Sequence, residues 1–156
     1  MGATAAISIS ARRSTKAAGT DVFVLDCSVT MAWVFDDEDD PHAASVRDRL
    51  DTDAAVVPSI WPLEVANALV VAERRKRVSR AEALRFLGIL GQLPIDVDAP
   101  PTLVSVDGVL QLAHETGLSV YDAAYLELSA THGLPLATLD AALRRAARKV
   151  GVKILS

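Results

Sequence analysis

The run Val22-Phe23-Val24-Leu25 breaks off on Asp26, and Ser28 follows two residues later. Four consecutive strand-forming apolar residues, without alternation, describe a strand buried on both faces. A parallel sheet covered by helices provides that setting. Ser28 fits the N-cap of a helix over Val29 to Phe35. A strand that turns at once into a helix puts Asp26 at its carboxyl end, the edge where open α/β sheets gather ligands.

The alternation recurs along the chain. A helix is predicted from Pro41 to Leu50, a strand from Ala54 to Val57, and a helix from about Ile60 to Arg75 capped by Ser59. Pro62 falls in the first turn of that helix, where a missing N–H costs nothing. Ser79 caps a helix from Arg80 to Leu93, and Ile95 to Val97 is a short strand. Pro100-Pro101 breaks the chain before a helix from Leu103 to Thr116, closed by Gly117. Leu118 to Val120 reads as extended, Tyr121 to His132 as a helix ending at Gly133, and Pro135 to Thr138 as a strand. A helix from Ala141 to Val150, stopped by Gly151, precedes a last strand from Val152 to Leu155. Strands alternating with helices predict an α/β fold with a parallel sheet covered on both faces.

At 156 residues the chain makes one domain. Apolar residues are 51 % but aromatics only 4 %, so the core is Ala, Leu and Val. Residues 1–20 hold Arg12, Arg13 and Lys16 and lack a period, so they read as a flexible lead-in to a domain over 21–156. The net charge is −4, and with those three cations set aside the rest stands at −7. That balance argues against nucleic acid unless the acids cluster around metal ions, which reverse the local field. The lone Cys27 excludes a disulfide within the chain and reads as a small packing residue in a reducing cytoplasm. No apolar run is long enough to span a membrane.

Asp26, Glu64, Asp122 and Asp140 each follow an extended segment and lie at or near a helix start. Singly, each also suits a capping or helix-dipole role, and Ser119-x-x-Asp122 matches a capping box. Together they converge, because strand ends and helix starts share one edge of a parallel sheet. Two unit charges about 4 Å apart repel by about 4 kcal/mol at an effective dielectric near 20. Such a cluster calls for a counter-charge, and hard oxygen donors without thiolate or paired His point to Mg²⁺ or Mn²⁺. His42, His114 and His132 have no ligand spacing. Asp36-Asp37-Glu38-Asp39-Asp40 reads either as a second metal site or as a solvated loop whose last acid caps the helix at Pro41.

Four segments, in order, carry a resemblance: Val24-Leu25-Asp26-Cys27-Ser28, Pro62-Leu63-Glu64-Val65-Ala66-Asn67, Leu118-Ser119-Val120-Tyr121-Asp122-Ala123-Ala124-Tyr125 and Ala137-Thr138-Leu139-Asp140. Residues 21–156 resemble a PIN domain, and more narrowly the VapC toxins of bacterial type II toxin–antitoxin pairs. The resemblance implies a three-layer α/β/α fold with a central parallel sheet of four to five strands. It implies an endoribonuclease dependent on one or two Mg²⁺ or Mn²⁺ ions, with Asp26, Glu64, Asp122 and Asp140 as its catalytic, metal-holding acids. Ser28, Asn67 and Thr138 fall on the family's supporting polar positions. A VapB-type antitoxin and a homodimer or toxin–antitoxin hetero-oligomer are the implied partners.

An RNA substrate calls for a cationic track. Arg74, Arg75 and Arg77, with Lys76 and Arg80, form one candidate; Arg144 and Arg145, with Arg148 and Lys149, form another. Neither cluster has interleaved aromatics, and Trp33 and Trp61 read as packing residues. Two rival enzymes or modules fit parts of the pattern. A haloacid-dehalogenase-like phosphatase would use Asp26 as nucleophile, but wants an Asp where Ser28 stands. A catalytically silent PIN binding module would keep the fold and not the chemistry.

Overall fold

The computed structural model describes residues 21–35 and 40–156; the lead-in 1–20 and the acids Asp36, Asp37, Glu38 and Asp39 lie outside the described residues. Among the described residues there are four strands and seven helices. In chain order they are β1 (Val22–Leu25), α1 (Cys27–Ala32), α2 (Pro41–Arg49), β2 (Ala54–Val57), α3 (Trp61–Arg74), α4 (Arg80–Leu90), β3 (Ile95–Val97), α5 (Asp107–Thr116), α6 (Val120–His132), β4 (Leu136–Ala137) and α7 (Ala141–Lys149).

The sheet order is β3-β2-β1-β4, all parallel. The chain moves outward from β1 through β2 to β3, then returns to the far side of β1 for β4. With right-handed crossovers, the two directions of travel put their helices on opposite faces. The packing follows suit: α1 lies against α2 and α3, and α3 against α4, whereas α6 packs on β1 and against α5 and α7. The result is a three-layer α/β/α domain. Phe23, Val24 and Leu25 are buried between the layers, which accounts for the unbroken apolar run. Tyr125, Leu126, Val29 and Leu143 are the large side chains that fill the space on either side.

Several expected boundaries move, each for a local reason. Helix α1 begins at Cys27, with Asp26 rather than Ser28 at the N-cap position. The Ser28 hydroxyl is engaged elsewhere, as described below. Leu103 to Val106 is a turn, not helix. There Thr102 N donates to Ser105 Oγ at 2.8 Å and Ser105 N to Thr102 Oγ1 at 3.1 Å, a local alternative that delays α5 to Asp107. The extended segment expected at Leu118 to Val120 ends one residue early: Ser119 has extended backbone, but its Oγ accepts Asp122 N at 3.1 Å, so Val120 already opens α6. Helix α3 has Ile60, not Ser59, at its N-cap position. The last strand reduces to one parallel bridge, Leu136 to Ile154.

Other terminators fall where the residues require. Ser79 and Glu82 complete a capping box on α4. Gly117 and Gly133 close α5 and α6 at φ of 73° and 63°, where a side chain would be strained. Asp40 caps α2, its Oδ1 accepting His42 N at 2.8 Å and Ala43 N at 3.0 Å. Among the described residues no helix is long and apolar enough to cross a membrane.

Candidate active site

The strand order reverses between β1 and β4, so the crevice at their carboxyl ends is the switch point of the sheet. Asp26 leaves β1 there, and Thr138 leaves β4. Asp26 is 5 % exposed and Thr138 fully buried. Thr138 Oγ1 donates to Asp26 Oδ2 at 2.7 Å, and Ser28 Oγ donates to the same oxygen at 2.5 Å. The two hydroxyls are themselves held: Ser28 Oγ accepts Leu139 N and Thr138 Oγ1 accepts Asp140 N, each at 3.0 Å. A carboxylate, two hydroxyls and two amides thus tie the turn after β4 to the turn after β1. Behind Asp26, Trp61 Nε1 donates to Thr30 Oγ1 at 3.2 Å, and Thr30 Oγ1 to the Asp26 carbonyl at 3.4 Å. That chain links the start of α3 to the start of α1.

Glu64, in the first turn of α3, is half-buried and accepts a hydrogen bond at Oε2 from the Tyr125 hydroxyl. Asp122, in the first turn of α6, is half-buried, and its Oδ2 accepts Ser119 Oγ at 2.7 Å. The Asp122 charge acts on Asp26, and both act on Glu64. Burial first, then the Asp122 charge, push the Asp26 carboxyl above its ordinary value, against the lowering effect of Ser28 and Thr138. Burial, then Asp26 and Asp122, raise Glu64, against the Tyr125 hydrogen bond. The Cys27 thiol is pushed up to about 12 by burial, Glu64 and Asp26, which keeps it protonated and suits a packing role. Tyr125 is raised by burial and by Glu64.

Three of the four expected acids are therefore near enough for their charges to be felt at Asp26 and Glu64. Asp140 sits at the rim, exposed, with Oδ1 accepting Leu143 N at 2.6 Å as the cap of α7. Asn67 is exposed one turn beyond Glu64 and makes no hydrogen bond to it among the described residues. Ser28 and Thr138 lie at the centre.

The cations divide. Arg74 and Arg75 are exposed at the far end of α3, about 15 Å along the helix from Glu64 at 1.5 Å per residue. Arg77 stacks its guanidinium 3.8 Å from the Phe35 ring centroid. Arg145 is exposed, but Arg144 is half-buried and donates Nη2 to the Thr138 carbonyl at 2.7 Å. Arg144 thus braces the turn that carries Thr138 instead of standing free in solvent. Sequence reasoning missed Tyr125 as a site residue. The available signal was a Tyr three residues after Asp122 amid Ala and Leu, since a buried phenol hydroxyl requires a partner.

Among the described residues no Lys, Arg or His pairs with Asp26, Glu64 or Asp122. Nor do three His, Cys, Asp or Glu side chains stand close enough to hold one ion as placed. The chemistry of the set still fits a hard divalent cation: its donors are carboxylate oxygens only, and among the described residues they lack a protein counter-charge.

Fold and site together define a class: a parallel α/β domain with an acidic centre at its switch point. The chain belongs to the PIN domain family, whose match covers residues 23–149 and whose members are generally nucleases. Among solved structures, PAE2754 from Pyrobaculum aerophilum is 28 % identical with a TM-score of 0.62, over 81 % of this chain and 86 % of that one. VapBC2 from Rickettsia felis, bound to a DNA fragment from their promoter, is 11 % identical with a TM-score of 0.59, over 86 % and 97 %. FitAcB from Neisseria gonorrhoeae is 14 % identical with a TM-score of 0.59, over 86 % and 96 %. The last two are likenesses of fold. No curated protein matches.

Proposed function

We propose that this chain is a divalent-metal-dependent endoribonuclease and the toxin of a type II toxin–antitoxin pair. One observation carries the reading: at the switch point the Asp122 charge acts on the buried Asp26, the charges of Asp26 and Asp122 act on Glu64, and among the described residues no cation offsets them. Asp26, Glu64 and Asp122 would hold Mg²⁺ or Mn²⁺, with Asp140 contributing from the rim. When bound, such an ion supplies Lewis acidity toward water and toward a phosphate oxygen.

The chain's own residues do the positioning. Ser28 and Thr138 fix one oxygen of Asp26, Arg144 steadies the turn behind Thr138, and Tyr125 holds Glu64. Arg145 beside the rim and Arg74, Arg75 and Arg77 at the far end of α3 would meet the RNA backbone, which positions the substrate without reading its sequence. Asn67 would serve as a polar contact only once an RNA or an ion is present.

A toxin–antitoxin complex from Klebsiella pneumoniae contains a chain of the same fold, and VapBC2 from Rickettsia felis is of like shape. They support an antitoxin partner, a hetero-oligomer or homodimer, and a cytoplasmic setting. An Arg from the partner reaching the acids would compete with the metal. The phosphatase alternative needs Asp26 open to an incoming phosphoryl group, whereas Asp26 is 5 % exposed and doubly hydrogen-bonded through Oδ2.

The test is cleavage of a structured RNA pool with Mg²⁺, with Mn²⁺, with EDTA, and by Asp26→Asn. Discrete cuts that require metal and vanish in the variant bear the proposal out. Equal, metal-independent cutting by wild type and variant refutes the nuclease. Failure of the wild type either to cut or to bind metal leaves the silent PIN module in its place.

A further inference from the structure

The geometry points to Tyr125 as a positioning residue that orients the Glu64 carboxylate for the divalent ion, an inference that rests on the metal-dependent reading above. Tyr125 is fully buried on α6, three residues beyond Asp122, so one helix carries both on neighbouring positions of one face. Its hydroxyl donates to Glu64 Oε2 on α3, 61 residues earlier in the chain. Helices α3 and α6 lie on opposite faces of the sheet, so this bond closes the site over the end of β1. Glu64 Oε1 has no donor among the described residues, which leaves it as the oxygen available to a ligand.

The choice of side chain matters. A Lys or Arg at this place would neutralise Glu64 and stand in for the ion. A phenol donates while remaining uncharged, so it fixes the carboxylate and leaves its negative charge for the cation. A Phe would fill the same volume without fixing anything. Glu64 is half-buried with three side-chain torsions to restrain, and restraint made during folding is not demanded again when the ion arrives. Partners that orient a metal's ligands commonly change metal affinity by 10–100-fold.

The experiment is Mn²⁺ binding, followed by calorimetry and by the loss of the free-ion resonance signal, for wild type, Tyr125→Phe, Glu64→Ala and the double variant. We expect Tyr125→Phe to weaken Mn²⁺ about tenfold, and to add nothing in the Glu64→Ala background. Unchanged or tighter binding by Tyr125→Phe overturns the inference, because the hydroxyl would then only compete with the ion for Oε2. Losses that add in full overturn it too, because Tyr125 would then not act through Glu64. A wild type that binds no Mn²⁺ overturns the metal reading itself and this inference with it, an outcome distinct from the other two.

A second measurement needs no change at Tyr125. The chain has two tyrosines, and Tyr121 is 61 % exposed. In a Tyr121→Phe protein, resonance Raman bands report Tyr125 alone. Bands of a donor hydrogen bond that persist on loading with Mn²⁺ support the role. Loss of that bond on loading overturns it.

Discussion

Replacing Asp26 by Asn separates the cost of its charge from its use. Asn keeps an acceptor oxygen for Ser28 Oγ and Thr138 Oγ1, so the hydrogen-bonded frame of the turn survives. What disappears is a buried charge next to Asp122 and Glu64. An unpaired buried ion costs several kcal/mol after relaxation. Against that, two bonds fall from charge-assisted to neutral, a loss of about 1 kcal/mol each. The net expectation without metal is about 1–2 kcal/mol of stabilisation, or a rise in melting temperature of about 4 °C for a chain of this size. Saturation with Mn²⁺ at about 100 times Kd adds about 2.7 kcal/mol to a protein that binds it. The wild type gains that increment and the variant does not, so the order of stabilities inverts between EDTA and Mn²⁺. The sign with pH follows from the raised carboxyls. The folded state holds these protons more tightly than the unfolded chain, so the contribution is favourable at low pH and is lost as pH rises from the ordinary 3.8 through the folded value. The advantage of Asp26→Asn in EDTA therefore grows with pH across that interval. Thermal melts of both proteins at several pH values, with EDTA and with Mn²⁺, read all of this. An Asp26→Asn protein that melts below wild type in EDTA at neutral pH would refute the reasoning, since the charge would then already be compensated.

Further expectations rest on single contacts. Thr138→Val removes the donor to Asp26 while keeping the volume; metal-dependent cleavage should fall at least about tenfold with the fold retained by circular dichroism. Arg144→Ala and Arg145→Ala should part company: the first costs about 1–2 kcal/mol in urea unfolding through the lost bond to the Thr138 carbonyl. The second leaves stability within about 0.5 kcal/mol but flattens the salt dependence of RNA binding by about one phosphate contact. Ser79→Ala dismantles the capping box on α4 and should cost about 1 kcal/mol in the same unfolding assay.

Local chemistry makes most of the frame legible. β2 and β3 lie on their expected residues, because a short apolar run between turn residues leaves few choices. The glycines and Ser79 end or begin helices as their backbone chemistry demands. The acids are legible as a set because a parallel sheet delivers strand ends to one edge. What stays hidden depends on contacts between distant residues. Tyr125 reaches Glu64 across 61 positions, and along α6 it reads as one more core residue. Arg144 looks like any solvated helix cation until its place beside the Thr138 carbonyl is known. Ser28 reads as a cap because a serine after a strand ordinarily is one; here Leu139 N and Asp26 claim its hydroxyl instead. The C-terminal strand shrinks to a bridge because Val152 to Leu155 meets only Leu136 at the sheet edge.

The bond between Thr138 and Asp26 joins positions 112 residues apart. During synthesis Asp26 emerges from the ribosome long before β4, and until β4 docks beside β1 its carboxylate lacks Thr138, and the turn that positions Asp140 does not exist. The frame around Asp26 is thus completed only after β4 has been made. A chain interrupted before β4 lacks both Thr138 and the turn that carries Asp140, and with them the assembled frame around Asp26.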